Sequence, residues 1–271
     1  MSSAPATSSP VETRIRATGG ALVGYLPVGY PDLATSIEGA ITLTRHGVDV
    51  LELGLPYSDP VMDGPTIQAA TTRALEQGFR LRHAFDAVRE ITAASDVPVL
   101  LMTYWNPVLQ FGSDRFAGLL AEAGGAGLIT PDLVPDEAGE WLAASDAHGL
   151  DRVFLAAPTS SEERLRQATS LSRGFTYVVS TMGTTGAREG VDSAARTLVE
   201  RLRQVSDEPL AVGLGISNGD QVAEVLTYAD GAIVGSALVS ALGDGLERLA
   251  EVADGLAAGK RAQPGATPGA R

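Results

Sequence analysis

The chain alternates short apolar runs with amphipathic stretches, and this alternation constrains the fold more than any other feature. Helical patterns fill the intervals between the runs, and the second interval is long enough for two helices separated at Gly78. Strands that alternate with helices predict a parallel sheet, because a parallel connection needs a crossover that is usually helical. The candidate strands are residues 21–28, 48–53, 98–104, 126–130, 152–157, 175–180, 209–214 and 231–235.

Eight such units without a break in composition predict a single α/β domain, a (β/α)8 or TIM barrel with extra helices, over residues 13–257. A doubly wound open sheet is the alternative. It often carries G-x-G-x-x-G after its first strand, which VGYLPVGYPD does not contain. The Ser-, Ala- and Pro-rich residues 1–12 and the similar residues 258–271 predict disordered tails, and residues 13–18 a short plug or helix.

Charge and composition narrow the function. The formal net charge of -13 argues against a nucleic-acid partner, because phosphate backbones require clustered Lys and Arg. No apolar run approaches the roughly 18 residues that predict a membrane span, and MSSAPATSSPVE lacks the apolar core of a signal peptide. The absence of cysteine excludes thiolate nucleophiles and fits a reducing compartment, so we expect a cytoplasmic location.

The stretch LELGLPYSDPVMDGPTIQ, residues 51–68, places a carboxylate near the end of the second strand. Strand alternation puts Glu52 on the face opposite Leu51 and Leu53. Because those leucines should pack on the outer helices, Glu52 should point into the barrel near its mouth, where active sites of such barrels lie. Burial would raise its pKa, as a general acid working near neutral pH requires. A structural glutamate paired with a base such as Arg152 is the alternative.

A second carboxylate, Asp63, follows on the connection after this strand, just before Gly64-Pro65. Catalysis and capping of the helix that begins at Pro65 both explain an aspartate here, and the pattern leaves the two open. Asp59 by itself is typical of an ordinary loop acid.

Glycine-bearing turns follow the last three strands and predict an anion site. Gly215, Gly235 and Ser236 lie where the seventh and eighth strands meet their helices, so backbone N–H groups and a helix N-terminus can bind a phosphate there. This arrangement suits an acidic protein that handles a phosphorylated small molecule. The three histidines form neither H-x-H nor H-E-x-x-H, so no metal site is predicted.

These residues closely resemble the signature of the tryptophan synthase alpha subunit family, E-x-G-x-P-F/Y-S-D-P, two variable residues, then D-G-P-x-I-Q. The resemblance continues in order across residues 13–257 through MTYWNPVLQFG, PDLVPDE, YVVSTMGTTG, VGLGIS and IVGSALV. It implies a barrel that cleaves indole-3-glycerol phosphate to indole and glyceraldehyde 3-phosphate without a cofactor in this chain. It also implies an α2β2 heterotetramer with a beta subunit that holds pyridoxal phosphate and receives the indole. A stand-alone indole-3-glycerol phosphate lyase is the alternative.

The resemblance also assigns roles to individual residues. It implies that Glu52 is the acid–base catalyst and that Asp63 binds the indole N–H and stabilises positive charge on the ring. Thr185 would close the sixth loop over Asp63, although Thr181 stands where some members have arginine. The remaining assignments are Tyr25, Tyr104 and Tyr177 in or beside the indole pocket, Gly186, Gly215, Gly235 and Ser236 at the phosphate, and Asp59, Pro60, Asn106 and Pro107 facing the partner.

Two rival functions are a different sugar-phosphate barrel enzyme, either an aldolase or an isomerase, and a non-catalytic interaction subunit. An aldolase of the Schiff-base class needs a lysine at a strand end, but the single lysine, Lys260, lies in the predicted tail. An isomerase would leave the second acid and the three tyrosines without a role. A non-catalytic interaction subunit would be expected to lose one acid or the glycine turns, and this chain keeps both.

Overall fold

The computed structural model describes residues 9–179, 188–213 and 215–261, with residues 188–192 described as backbone only. The strand segments all pair in parallel, in the order β5-β4-β3-β2-β1-β9-β8-β7-β6. Their bounds are β1 Ala21–Pro27, β2 Val50–Gly54, β3 Val99–Met102, β4 Gly127–Ile129, β5 Asp151–Val153, β6 Leu155–Ala156, β7 Thr176–Val179, β8 Leu210–Gly213 and β9 Gly231–Val234.

The sheet closes into a barrel because β5 and β6 are two parts of one extended run, separated only at Phe154. β5 pairs with β4, and β6 pairs with β7, so this run joins the two ends of the sheet. The eight predicted strands and the (β/α)8 fold are therefore confirmed.

Helices cover the outside of the barrel, and two of them occupy the second interval, separated by Gly78 as predicted. None of the helices in the described ranges is long and apolar enough to cross a membrane. The bounds are α1 Pro10–Thr18, α2 Leu33–Arg45, α3 Pro65–Glu76, α4 Leu81–Ala94, α5 Trp105–Phe111, α6 Ser113–Glu122, α7 Gly139–His148, α8 Glu162–Leu171, α9 Arg188–Arg203, α10 Gly219–Val225, α11 Ser236–Asp244 and α12 Leu246–Arg261.

The first helix plugs the N-terminal end of the barrel. Val11 and Ile15 of α1 pack against the inward strand residues, which include Val50, Leu100 and Phe175. Outward residues such as Leu51 form a separate, larger cluster with the helices. Burial of the apolar lumen against α1 leaves the C-terminal mouth as the open end, where the strand-to-helix connections gather.

The predicted tail boundaries are wrong at both ends. Residues 9–12 are ordered, because the buried Ser9 caps α1 and its hydroxyl donates to the buried Asp151 carboxylate at 2.8 Å. Residues 258–261 belong to α12, where Lys260 donates to both carboxylate oxygens of Asp49 at 2.8 and 2.7 Å. A polar anchor fixes each end in a way that composition does not reveal. Residues 1–8 and 262–271 lie outside the described residues.

Candidate active site

Glu52 projects into the barrel lumen from β2, as predicted. It lies opposite Tyr25 of β1 and Leu100 of β3 in the sheet register, and only 1% of its surface is exposed. Its Oε2 has no hydrogen-bond partner in the described part of the chain. Arg152, the suggested basic partner, instead donates to the carbonyl of Leu171 and to Asp146. The structural salt-bridge alternative is therefore wrong for this pair.

The environment of Glu52 keeps its carboxyl group protonated at neutral pH. Burial, and after it the charge of Asp63, raises the pKa of Glu52 to about 8. Desolvation disfavours the carboxylate form, and a nearby like charge disfavours it further. A carboxylic acid in this state can donate a proton near neutral pH and take it back in a later step.

Asp63 lies at the mouth, on the connection between β2 and α3. The capping alternative is wrong, because Gly64 is the N-cap of α3 and no side chain caps that helix. Burial raises the pKa of Asp63 as well. Its backbone carbonyl accepts a hydrogen bond of 2.8 Å from Nε2 of Gln68, a residue to which the sequence analysis gave no role. Asp63 is half-buried and so remains within reach of a ligand entering the mouth.

The two carboxyl groups face an aromatic wall. Tyr25 and Asp63 line one small cavity together with Tyr104, and the charges of Glu52 and Asp63 both act on Tyr177. Burial and, after it, these charges raise the pKa of Tyr25 and Tyr177 well above the usual value, so both phenols stay neutral. The structure thus brings the three predicted tyrosines to the two predicted acids.

Two strand glycines make room for the aromatic wall. The Tyr25 side chain crosses Gly54 of the adjacent strand, and Tyr177 crosses Gly213 in the same way, so a Cβ at either glycine would overlap a tyrosine ring or hydroxyl. Glycine inside a strand often marks such a close approach. Both glycines stand in the quoted motifs, and this rule could have identified their role.

The glycine turn that begins at Gly235 lies beside the same pocket. Gly235 is the N-cap of the nine-residue helix α11, which begins at Ser236, and no side chain caps it. A Cβ at Gly235 would lie 3.6 Å from Tyr25 and from Ile67, so the helix N-terminus adjoins the aromatic wall. Gly215 has a φ of 63°, which disfavours any residue with a side chain. Thr181, Thr185 and Gly186 lie outside the described residues.

The predicted partner-facing residues lie on the same end of the barrel. Asp59 and Asn106 are exposed, and Asn106 Nδ2 donates to the Tyr57 hydroxyl at 3.2 Å. Pro60 and Pro107 are partly buried beside them. The sequence analysis missed four exposed apolar side chains on three successive strand-to-helix connections at this end of the barrel, those of Val61, Met62, Leu109 and Val134.

One polar residue at the site has no assigned role. Thr103 follows β3, lines the cavity with Asp63, and its hydroxyl has no hydrogen-bond partner among the described residues.

As for metals, no cluster of three or more His, Asp or Glu side chains able to hold an ion occurs in residues 9–179, 188–213 and 215–261.

Known proteins share this architecture over almost the whole chain. The sequence profile of the family described as "Tryptophan synthase alpha chain" matches residues 12–264. A tryptophan synthase alpha chain of Leifsonia xyli subsp. xyli is 69% identical over 226 residues, which are 83% of this chain and 87% of the relative. That of Mycobacterium ulcerans is 60% identical over 241 residues, 89% of each chain.

Solved structures agree with the sequence relatives. A chain of Mycobacterium tuberculosis tryptophan synthase superposes with a TM-score of 0.88 at 54% identity, covering 94% of this chain and 98% of that chain. A chain from the tryptophan synthase a2b2 complex of Pyrococcus furiosus, described in terms of mutual activation, gives a TM-score of 0.83 at 38% identity, covering 88% and 98%.

Proposed function

Because the chain belongs to the tryptophan synthase alpha chain family, whose reaction is the cleavage of indole-3-glycerol phosphate, we propose that Glu52 and Asp63 carry out this reaction at the barrel mouth. The chain is a carbon–carbon lyase of tryptophan biosynthesis that forms indole and glyceraldehyde 3-phosphate. The observation that carries the assignment of residues is the buried Glu52, inward-facing and protonated at neutral pH, next to the charge of Asp63.

Protonation of the indole ring is the first task. Glu52 donates its proton to C3 of the indole, which leaves a positive charge spread over the ring and N1. Asp63 accepts a hydrogen bond from N1–H and stabilises that charge, as a preorganised carboxylate does in a partly dehydrated site. The different depths of the two groups suit these roles, because the acid must be protonated while its neighbour remains charged.

Bond cleavage then returns the proton to the enzyme. The glycerol hydroxyl next to the scissile bond loses its proton to the Glu52 carboxylate, and its oxygen becomes the aldehyde carbonyl. The electron pair of the broken carbon–carbon bond returns to the ring and restores the neutral indole. Glu52 ends the cycle protonated, so one carboxyl group serves first as acid and then as base.

The remaining residues bind the substrate. Tyr25, Tyr104 and Tyr177 form the walls for the indole ring, and Gly215, Gly235 and Ser236 offer backbone N–H groups to the phosphate. The cavity between Tyr25, Asp63 and Tyr104 measures about 10 Å³, room for about one water molecule. Thr185 and Gly186 complete the proposed site.

The beta subunit of tryptophan synthase is the proposed partner, in an α2β2 heterotetramer. The exposed apolar side chains of Val61, Met62, Leu109 and Val134 lie at the same end of the barrel as Asp59, Pro60, Asn106 and Pro107. Exposed apolar residues near polar ones are typical of protein interfaces. This reading is favoured over a stand-alone lyase by the relatives, which are tryptophan synthase alpha chains.

Cofactor chemistry is assigned to the partner. Pyridoxal phosphate attaches to enzymes through a lysine Schiff base, and the single lysine of this chain, Lys260, donates to Asp49 at the start of β2, away from the mouth. We therefore propose that this chain works without a cofactor and that the beta subunit holds the pyridoxal phosphate. A cytoplasmic location is proposed from the composition.

Indole release by purified protein tests the proposal. The unmodified chain should release indole from indole-3-glycerol phosphate, faster with a beta subunit present, and Glu52→Gln should lower kcat by several orders of magnitude, because both the acid and the base are lost. Glu90→Gln, the same chemical change at an exposed position of α4, is the matched control. Near-normal turnover in folded Glu52→Gln would remove Glu52 from the mechanism.

A further inference from the structure

The connection that carries Asp63 is held in place by hydrogen bonds from neighbouring elements. Residues 55–64 form no helix or strand. The backbone N–H of Met62 donates to the Tyr104 hydroxyl at 2.8 Å, on one side of Asp63. On the other side, Gln68 of α3 donates to the Asp63 carbonyl at 2.8 Å. The backbone of the aspartate is thus fixed on both sides while its carboxyl group stays free for substrate.

The Tyr104 side chain is held in place by its surroundings. It is 6% exposed and lies at the end of β3, where it forms the N-cap of α5. Its ring packs against Tyr57 with centroids 5.2 Å apart. Burial raises the pKa of its phenol, and the hydrogen bond from the Met62 N–H opposes that effect. A buried phenol oxygen that accepts a backbone N–H has little freedom to move independently of that backbone.

The same residue connects the loop to the surface proposed for the partner. Directly after Tyr104, the N–H of Trp105 donates to Asp132 at 2.8 Å, which links the start of α5 to the connection after β4. The exposed Asn106 and Leu109 lie on that helix. A displacement of α5 therefore moves the Tyr104 hydroxyl, and the hydroxyl carries the backbone next to Asp63 with it.

We propose that Tyr104 is a positioning residue whose hydroxyl sets the place of Asp63 and transmits displacements of α5 to it. Its contribution to the reaction is thereby more than that of an aromatic wall for indole. The role of α5 as a contact for the beta subunit rests on the proposed function. The hydrogen bond between Tyr104 and Met62 does not.

Tyr104→Phe removes the hydroxyl and leaves the ring, so it separates the two roles. In the isolated chain, kcat for indole release should fall about tenfold, the effect of losing one well-made hydrogen bond, while KM changes less than about threefold because the ring remains. Hydrogen exchange in residues 55–64 should accelerate. The activation by saturating beta subunit should shrink several-fold.

Tyr30→Phe is the matched control, because it removes a phenol oxygen that lies beside Gly243, outside the proposed site. It should leave kcat, KM and exchange of residues 55–64 unchanged. Unaltered kcat and exchange in Tyr104→Phe would overturn the proposal, and so would a raised KM at constant kcat, which belongs to a wall of the pocket.

A second variant approaches the same hydrogen bond from its donor. Met62→Pro deletes the N–H, and because the Met62 side chain is exposed, the substitution removes no core packing. If the bond is what matters, adding Tyr104→Phe to Met62→Pro should cost less than twofold further in kcat. Fully additive losses would refute the proposal. If the unmodified chain releases no indole, the proposed function fails, whereas hydrogen exchange still decides the role of Tyr104.

Discussion

Replacing Glu52 with glutamine should make the stability of the protein less sensitive to pH, in addition to its effect on catalysis. The pKa of Glu52 rises from 4.5 to about 8 on folding, chiefly through burial. Between these values the folded protein binds a proton at Glu52 that the unfolded chain has released. Stability from this group is therefore complete below about pH 4.5 and is lost as pH rises through about 8. Glutamine does not titrate in this pH range, so it contributes no such pH dependence.

The size of the effect follows from the pKa shift. At about 1.4 kcal/mol per pH unit, the shift corresponds to about 5 kcal/mol across the entire window. Two pH units inside the window, from about 5.5 to 7.5, should change the free energy of unfolding of the unmodified chain relative to Glu52→Gln by about 3 kcal/mol. The buried Asp151 and the half-buried Glu208, whose pKa values burial also raises, are present in both proteins and cancel in the difference.

Urea unfolding of both proteins at several pH values measures this difference. Glu52→Gln should gain stability relative to the unmodified chain as pH rises, with equal urea dependence in the two proteins. Glu90→Gln should follow the unmodified chain, because that side chain is exposed on α4. A stability difference that stays constant from about pH 5.5 to 7.5 would show that Glu52 ionises without penalty and would refute its role as a buried acid.

Three further predictions concern the mouth of the barrel. Asp63→Asn should lower kcat by about 10²-fold or more. It should also shift the alkaline limb of the pH–kcat profile to lower pH, because the charge of Asp63 raises the pKa of Glu52. An alkaline limb that does not move would contradict this coupling. Gly235→Asp should raise KM about tenfold or more by placing a carboxylate at the α11 N-terminus, and an unchanged KM would place the phosphate elsewhere. Asp59→Ala should reduce activation by the beta subunit more than the slow reaction of the isolated chain; equal losses in both assays would make Asp59 merely structural.

Features that depend on periodicity could be predicted from the sequence. Two-residue alternation put Glu52 on the inward face, and the register with Tyr25 and Leu100 confirms that placement. The eight strands could be predicted from a different pattern, the short apolar runs, because a strand buried on both faces must be apolar along its length. In these places a single physical requirement determines the residue type.

Features that depend on tertiary contacts could not be predicted in this way. Gln68 is an exposed polar residue of α3, and nothing in its neighbours along the chain indicates a bond to the Asp63 carbonyl. The ordering of residues 9–12 depends on Asp151, more than a hundred residues away in sequence. The exposed apolar residues at the mouth come from three separate connections, and only the closed barrel places all of these connections at one end.

Glu52 lies on a strand and Asp63 on a loop, and this difference has a consequence for regulation. Glu52 is part of a strand whose neighbours on both sides are hydrogen-bonded to it, so its position changes only if the barrel deforms. Asp63 is held through the buried Tyr104, the N-cap of α5, and the exposed Gln68 of α3. In the proposed mechanism, a partner that docks at the mouth can therefore adjust the position of Asp63 without disturbing the buried Glu52. Activation by such a partner should therefore change the rate of the reaction. The pKa of Glu52 should change little, because burial is its main cause and only the smaller effect of the Asp63 charge depends on the position of Asp63.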